Sequence, residues 1–279
     1  MLTGCFSHLP GIGKAISKML REAGITSWDE ALRHPALPFT PDLKAEFIRG
    51  LKESQKRLEA DDAIWFSERL SAAEQWRLFP HFKHSAAYMD IETSGLAWPH
   101  AQITTISVYD GENLKVYVNG RNLEDFLTDI QEYSLLVTWN GRMFDVPFIN
   151  RAMHTELKMA HLDLFPVFRS MGIKGGLKKV EKQLGLDRAE LDGVDGYTAV
   201  QLWREYTRAG YAGALETLLA YNAEDVFSLE FLSHYACDWH GFPVPGDHEK
   251  PENPFRPDAV LVAKLIEERR QWEERKAQR

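Results

Sequence analysis

The sequence predicts an α/β chain, in which a mixed sheet is covered by helices and a small helical region precedes it. Three observations carry that expectation. Short apolar runs of strand composition occur at 85–91, 102–109, 114–118 and 135–139. Asp110-Gly111 between the second and third runs is a hairpin signal, so those two strands pair antiparallel. Beyond residue 140 the apolar residues recur at helical spacing instead, over about 144–156, 177–184, 198–208 and 214–237.

The elements divide the chain into three parts: 1–80, 81–240 and 241–279. In the first, the turn around Leu9-Pro10-Gly11 leads into a helix on which Ala15, Ile16, Met19, Leu20 and Ala23 share a face, with Gly24 as its stop. Further helices are expected over about 41–59, with Thr40 as N-cap and Pro41 in the first turn, and over 63–76. The middle part holds the sheet, with a helix at 123–133 before the last strand. The third part begins with a proline-rich, charged stretch that reads as a linker, and 258–279 reads as a charged helix. No internal repeat is visible.

Composition narrows the function classes. The chain has 279 residues, 44% hydrophobic and 27% charged, which suits a globular protein with a sizeable core. No run is long and apolar enough for a membrane helix, and no basic-then-apolar leader opens the sequence, so a cytoplasmic protein with no membrane partner is expected. Two cysteines, Cys5 and Cys237, give neither a disulfide framework nor a zinc pattern, and His8, His161 and His234 share no zinc spacing. A net charge of −8 argues against nucleic-acid binding by an overall positive field. It suits an acidic site that takes cations first and a phosphate through them.

Three acidic pieces stand out. Asp90 and Glu92 end the first apolar run; two apart on a strand, they point to one face. Either they share a hard cation, which prefers oxygen ligands, or they mark a solvent-facing strand end. Asp145 follows the run at 135–139 and precedes Val146, Pro147, Phe148 and Ile149. It is either a partnered acid or a helix N-cap. Tyr221 and Asp225 are four apart on a helix and share its face, beside the stripe of Leu218, Val226, Leu229 and Leu232, so Asp225 points inward and needs a cation or hydrogen bonds. Glu224 is offset by about 100° and is expected in solvent.

The order Asp90-x-Glu92, then Asn140 to Asp145, then Tyr221-x-x-x-Asp225 resembles the three motifs of the DEDDy branch of the DnaQ-like, ribonuclease H-fold 3′–5′ exonucleases. The resemblance spans about residues 85 to 240. Within that superfamily, His161 to Leu164, Gly193 to Gly196 and Tyr221 to Asp225 look most like the YprB-type predicted ribonuclease H-like exonucleases. It implies a ribonuclease H-like mixed sheet flanked by helices and a site with two divalent cations, Mg²⁺ or Mn²⁺. Asp90 would bridge both ions, Glu92 and Asp225 would hold the one that activates water, and Asp145 would help hold the other. Tyr221 stands where the sister branch has histidine; a phenol with a pKa near 10 orients water better than it deprotonates it.

The resemblance also implies substrate contacts at Thr93 and Leu96, which follow the first motif where family members meet the 3′-terminal nucleotide. Leu96 is then a base wedge or an ordinary packing residue, and Trp98 a stacking partner or a loop anchor. Asn140 is a further substrate candidate, and Asp163 either supports a metal or caps a turn. Lys174, Lys178, Lys179 and Lys182 form a basic run that is a solvated face or a phosphate contact, with Lys178 the candidate.

The turn at Leu9 to Gly13 resembles the hairpin of helix–hairpin–helix DNA-binding modules, although only eight residues precede it. The expected activity is thus 3′–5′ hydrolysis of single-stranded nucleic acid, DNA slightly ahead of RNA. The alternative is a non-catalytic nucleic-acid-binding module on the same fold.

Overall fold

Period-two patterning makes β1 (Ala86–Thr93) the centre of the molecule. Ala87, Met89 and Ile91 pack on one side with Phe126, Ile130, Phe148 and Ile149, while Ala86 and Tyr88 pack on the other with Val226 and Leu229. A strand buried on both faces reads as a nearly continuous apolar run, which is why it was visible. Asp90 and Glu92 continue the face of Tyr88, so the alternation itself turns both acids the same way.

The computed structural model describes residues 1–96, 99–245 and 250–277. Beside β1 lie β2 (Ile103–Tyr109) and β3 (Leu114–Val118), joined by the expected turn, in which the Asp110 carboxylate accepts from the backbone N–H of Glu112 and Asn113. On the other side lie β4 (Leu135–Thr138) and β5 (Ala160–Asp163), giving the order β3-β2-β1-β4-β5. Strand β2 runs antiparallel to both β1 and β3, and β1, β4 and β5 are parallel. The sheet is mixed, as expected. The parallel strands bring the ends of β1, β4 and β5 to one edge, the usual place for a ligand cleft in α/β sheets.

Among the described residues five helices precede the sheet: α1 (Lys14–Glu22), α2 (Trp28–Arg33), α3 (Pro41–Glu59), α4 (Ala63–Ser67) and α5 (Phe79–Phe82). Thr40 caps α3, accepting from Leu43 N–H, and Gly24 follows α1 at φ +77°, both as the sequence suggests. The single helix expected over 63–76 is instead α4 followed by 3₁₀ turns over Ala72–Leu78. The Ser67 hydroxyl accepts from His161 N–H, so the chain leaves the helix to cover the free edge of β5. Phe6, Leu9, Phe47, Phe66 and Trp76 join Leu135, Val137 and Leu162 in one core.

Among the described residues seven helices come after β3: α6 (Phe126–Asp129), α7 (Asp145–Ala152), α8 (Leu164–Ser170), α9 (Leu177–Leu184), α10 (Gly196–Ala209), α11 (Ala212–Trp239) and α12 (Ala259–Ala277). The helix expected over 123–133 keeps a single α turn, α6, between 3₁₀ turns. Strand β5 and α8 were not expected, because runs of four and seven residues are too short for periodicity to separate strand from helix. The C-terminal stretch lies along α11: Asn253 Nδ2 donates to Ala220 O, Asp258 N–H donates to Thr217 Oγ1, and Leu261, Val262 and Leu265 pack with Leu218 and Tyr221. Among the described residues no helix is long and apolar enough to cross a membrane.

Candidate active site

Three elements deliver the acids to one place. β1 carries Asp90 and Glu92, α7 begins at Asp145, and the buried middle of α11 carries Tyr221 and Asp225. Carboxylate oxygens of Asp90, Glu92 and Asp225 all lie within 4.8 Å of one another, the one such group of potential metal ligands among the described residues. Asp145 stands beside them: its Oδ1 accepts from Ile91 N–H at 3.2 Å. All four acids and Tyr221 line one cleft of ≈ 640 Å³, together with Asn140, Trp139 and Phe144. The N-cap alternative for Asp145 is not realised, since α7 starts at that residue and Phe144 precedes it without a side-chain cap.

Burial and mutual repulsion act together on these acids. Desolvation, then the charge of Asp225, holds the Asp90 and Glu92 carboxyls far above the usual carboxylate range. Burial pushes Asp145 up to about 7. Tyr221 is also raised well above its ordinary value, first by burial and then by Asp225 and Glu92, so its phenol is neutral at physiological pH. The residues fit hard divalent cations on two counts. Every donor is a carboxylate oxygen, and three of the acids bring such oxygens close enough together to share one ion.

A stability prediction follows. A carboxyl whose folded pKa exceeds its unfolded value, near 3.9 for Asp, contributes stability below that value and loses it as pH rises to the folded pKa. In EDTA the melting temperature should therefore fall between pH 5 and pH 7.5. With roughly 2–4 °C per kcal/mol for a chain of this size class, a drop on the order of 5 °C is expected. Millimolar Mn²⁺ should flatten that slope by neutralising the same charges. A melting temperature that is level in EDTA across the range would contradict the clustering of these acids.

Asn222, one residue past Tyr221, was missed by sequence reasoning. It is completely buried, and its Oδ1 accepts from Thr105 Oγ1 at 3.1 Å and Ser107 Oγ at 2.8 Å. That fixes the amide so that Nδ2 donates to Asp90 Oδ2 at 2.7 Å. An asparagine on a helix buried all round was the available signal. Arg188 was missed as well. It forms an ion pair with Asp225 and two hydrogen bonds with Glu181, of 2.7 and 2.6 Å, and nothing in the spacing of 181, 188 and 225 announces the triad.

The remaining candidates separate. Asn140 lines the cleft in a left-handed conformation, φ +62°, with its N–H bonded to Asp163 Oδ1 at 2.7 Å. Asp163 also accepts from the N–H of Arg142 and Phe165, which is the turn-capping alternative. Thr93 is buried and donates to Gly95 O, whereas Leu96 is 82% exposed. Trp98 lies outside the described residues. Lys174 lines the cleft. Lys178 has its ammonium 4.1 Å over the Tyr221 ring and donates to Val194 O, and burial pushes its pKa down to about 8. Glu224 is a correction: it is buried, ion-paired with Lys250 and hydrogen-bonded by Asn253, because the C-terminal stretch covers that side of α11.

Acids gathered where the parallel strands of a mixed sheet end make this an α/β protein with a cation-ready cleft. The chain belongs to the RNase_H superfamily: the RNase_H_2 family matches residues 87–237, a span that contains Asp90, Glu92, Asp145, Tyr221 and Asp225. Among solved structures it is similar to the family B DNA polymerase from the hyperthermophilic archaeon Pyrobaculum calidifontis, with 15% identity and a TM-score of 0.40. That match covers 58% of this chain and 27% of the polymerase. No curated protein matches the chain.

Proposed function

We propose that this protein is a metal-dependent 3′–5′ exonuclease of single-stranded nucleic acid, with DNA favoured over RNA. The observation that carries this reading is the convergence of four carboxylates and a neutral tyrosine in one open cleft, within a domain of the RNase_H superfamily. Asp90, Glu92, Asp145 and Asp225 would hold two divalent cations, Mg²⁺ or Mn²⁺, which lower the pKa of a bound water and stabilise the attacking and leaving oxygens. Asp90 and Glu92 on β1 meet Asp225 on α11 in one oxygen cluster. Tyr221 keeps its proton and orients the attacking water. Lys174 and Arg169 line the same cleft and suit the phosphate backbone, while exposed Leu96 suits the terminal base. The assignment of Thr93, Asn140 and Lys178 to substrate belongs to the same reading. The 3′ direction rests on the resemblance of the motifs at Asp90, at Asp145 and from Tyr221 to Asp225 to those of the DEDDy exonucleases.

The test uses single strands of DNA and RNA labelled at either end, with Mg²⁺ or Mn²⁺ and with EDTA. A metal-dependent ladder shortening from the 3′ end is expected, and a circular single strand should survive. Cutting of the circle would make the protein an internal nuclease. No cleavage under either metal would leave a nucleic-acid-binding module. Tyr221→Phe should lower turnover by about 10²-fold, the low end of proton-handling contributions, with Mn²⁺ affinity unchanged. Full activity in that variant would remove Tyr221 from the mechanism.

A further inference from the structure

One guanidinium serves two buried carboxylates at the edge of the acidic cluster. Arg188 is 8% exposed, Glu181 1% and Asp225 5%, so none of the three charges has water to fall back on. The two carboxylates hold the guanidinium by different numbers of contacts. Glu181 takes directed hydrogen bonds from Arg188 Nε and Nη2 at 2.7 and 2.6 Å, a bidentate pairing that fixes the guanidinium plane. Asp225 Oδ1 makes one close ion pair, with the same Nη2. Glu181, with two contacts, is therefore the anchor, and Asp225, with one, is the exchangeable partner.

The loop bearing Arg188 is pinned for this task. Gly185 closes α9 in a left-handed conformation, and Leu186 N–H returns to Glu181 O. Asp187 caps Ala189 N–H, and Lys250, which also pairs with Glu224 on α11, donates to Asp187 O. Leu191 and Val194 then anchor the far side against α10 and α12. Arg188 is thus held at Asp225 from both ends of its loop.

We propose that Arg188 is a built-in competitor for the cation at Asp225, a positioning residue that holds this carboxylate in place while opposing a divalent ion by its own charge. The inference rests on the reading of Asp225 as a metal ligand. The guanidinium lies next to the coordinating oxygen, so a divalent cation bound there either shares the carboxylate with a like charge or displaces it onto Glu181. The site consequently loads metal more weakly than its four acids alone would.

Calorimetric titration of Mn²⁺ into the full chain tests this, with circular dichroism confirming the fold of each variant. Removing the positive charge in Arg188→Gln should tighten Mn²⁺ binding by about tenfold, as expected for loss of one adjacent like charge. The neutral pair Glu181→Gln with Arg188→Gln avoids a lone buried glutamate and should also bind more tightly than wild type, by a smaller factor. Glu181→Gln alone frees Arg188 to neutralise Asp225 fully, and should bind more weakly than wild type. A purely structural Arg188 gives the opposite sign, with affinity falling when it is removed. Equal or weaker binding in the folded neutral pair, against a wild type that binds Mn²⁺, overturns this inference alone. A wild type that binds no Mn²⁺ overturns it together with the metal-site reading.

Discussion

Asp90→Asn should abolish nucleic-acid hydrolysis while leaving the protein as stable as wild type in EDTA, or more stable. The two effects come from one charge. Asp90 is the acid whose oxygens sit with both Glu92 and Asp225, and its carboxyl is raised by desolvation and by Asp225, Asp145 and Glu92. Replacing it with an amide of the same shape removes one carboxylate charge from the proposed cation site. A loss of at least about 10³-fold in kcat/KM, or ~4 kcal/mol of barrier, is expected from that alone. The same substitution relieves repulsion among buried acids, so in EDTA above pH 7 the melting temperature should rise by a few degrees, at roughly 2–4 °C per kcal/mol. The contact with Asn222 Nδ2 survives, since the new amide can present its oxygen. Activity assays beside melting curves at pH 7.5 check both halves. Retained hydrolysis would dismiss Asp90 as a ligand. Lost hydrolysis with a large drop in melting temperature would make Asp90 structural.

Much of this site could be read without coordinates because its residues obey local periodicities. Two-residue alternation put Asp90 and Glu92 on one face, and the i,i+4 relation put Tyr221 beside Asp225. The strand-to-helix junction at Asp145 followed from an apolar run meeting a polar tip. What was not legible depends on contacts far apart in sequence. Arg188 reaches Asp225 only because the loop after α9 folds back, and no pattern couples those positions. Glu224 was expected in solvent from its angle on the helix, but α11 is buried on nearly every side and the C-terminal stretch closes the remainder. Strand β5 was lost for a different reason, its shortness, although its last residue, Asp163, holds the turn that presents Asn140. Lys178 was the candidate of its charge run; the geometry lines the cleft with Lys174 and sets the Lys178 ammonium over the ring of Tyr221.

Asn222→Ala should damage stability and catalysis together, in contrast to Asp90→Asn. The amide is wholly buried between the sheet and α11, and its three hydrogen bonds join Thr105, Ser107 and Asp90. Truncation strands two hydroxyls and a carboxylate oxygen in an interior with no replacement, at a cost of about 1–3 kcal/mol per unsatisfied group. Allowing for partial relaxation, a loss on the order of 3–4 kcal/mol is expected, or a fall of about 10 °C in melting temperature. Asp90 then loses the donor that orients it, and partners of this kind are worth about 10–100-fold in metal affinity. Asn222→Asp separates the two effects, since it keeps the volume and can still accept from both hydroxyls, but faces Asp90 with an acid instead of a donor. That variant should be more stable at pH 5 than at pH 7.5 by a wider margin than wild type, because one more carboxyl must ionise in the same cluster. Melting curves at both pH values, paired with Mn²⁺ titration, check the claim. If Asn222→Ala binds Mn²⁺ as wild type does, Asn222 is only a packing residue, and the orientation of Asp90 must come from the strand alone.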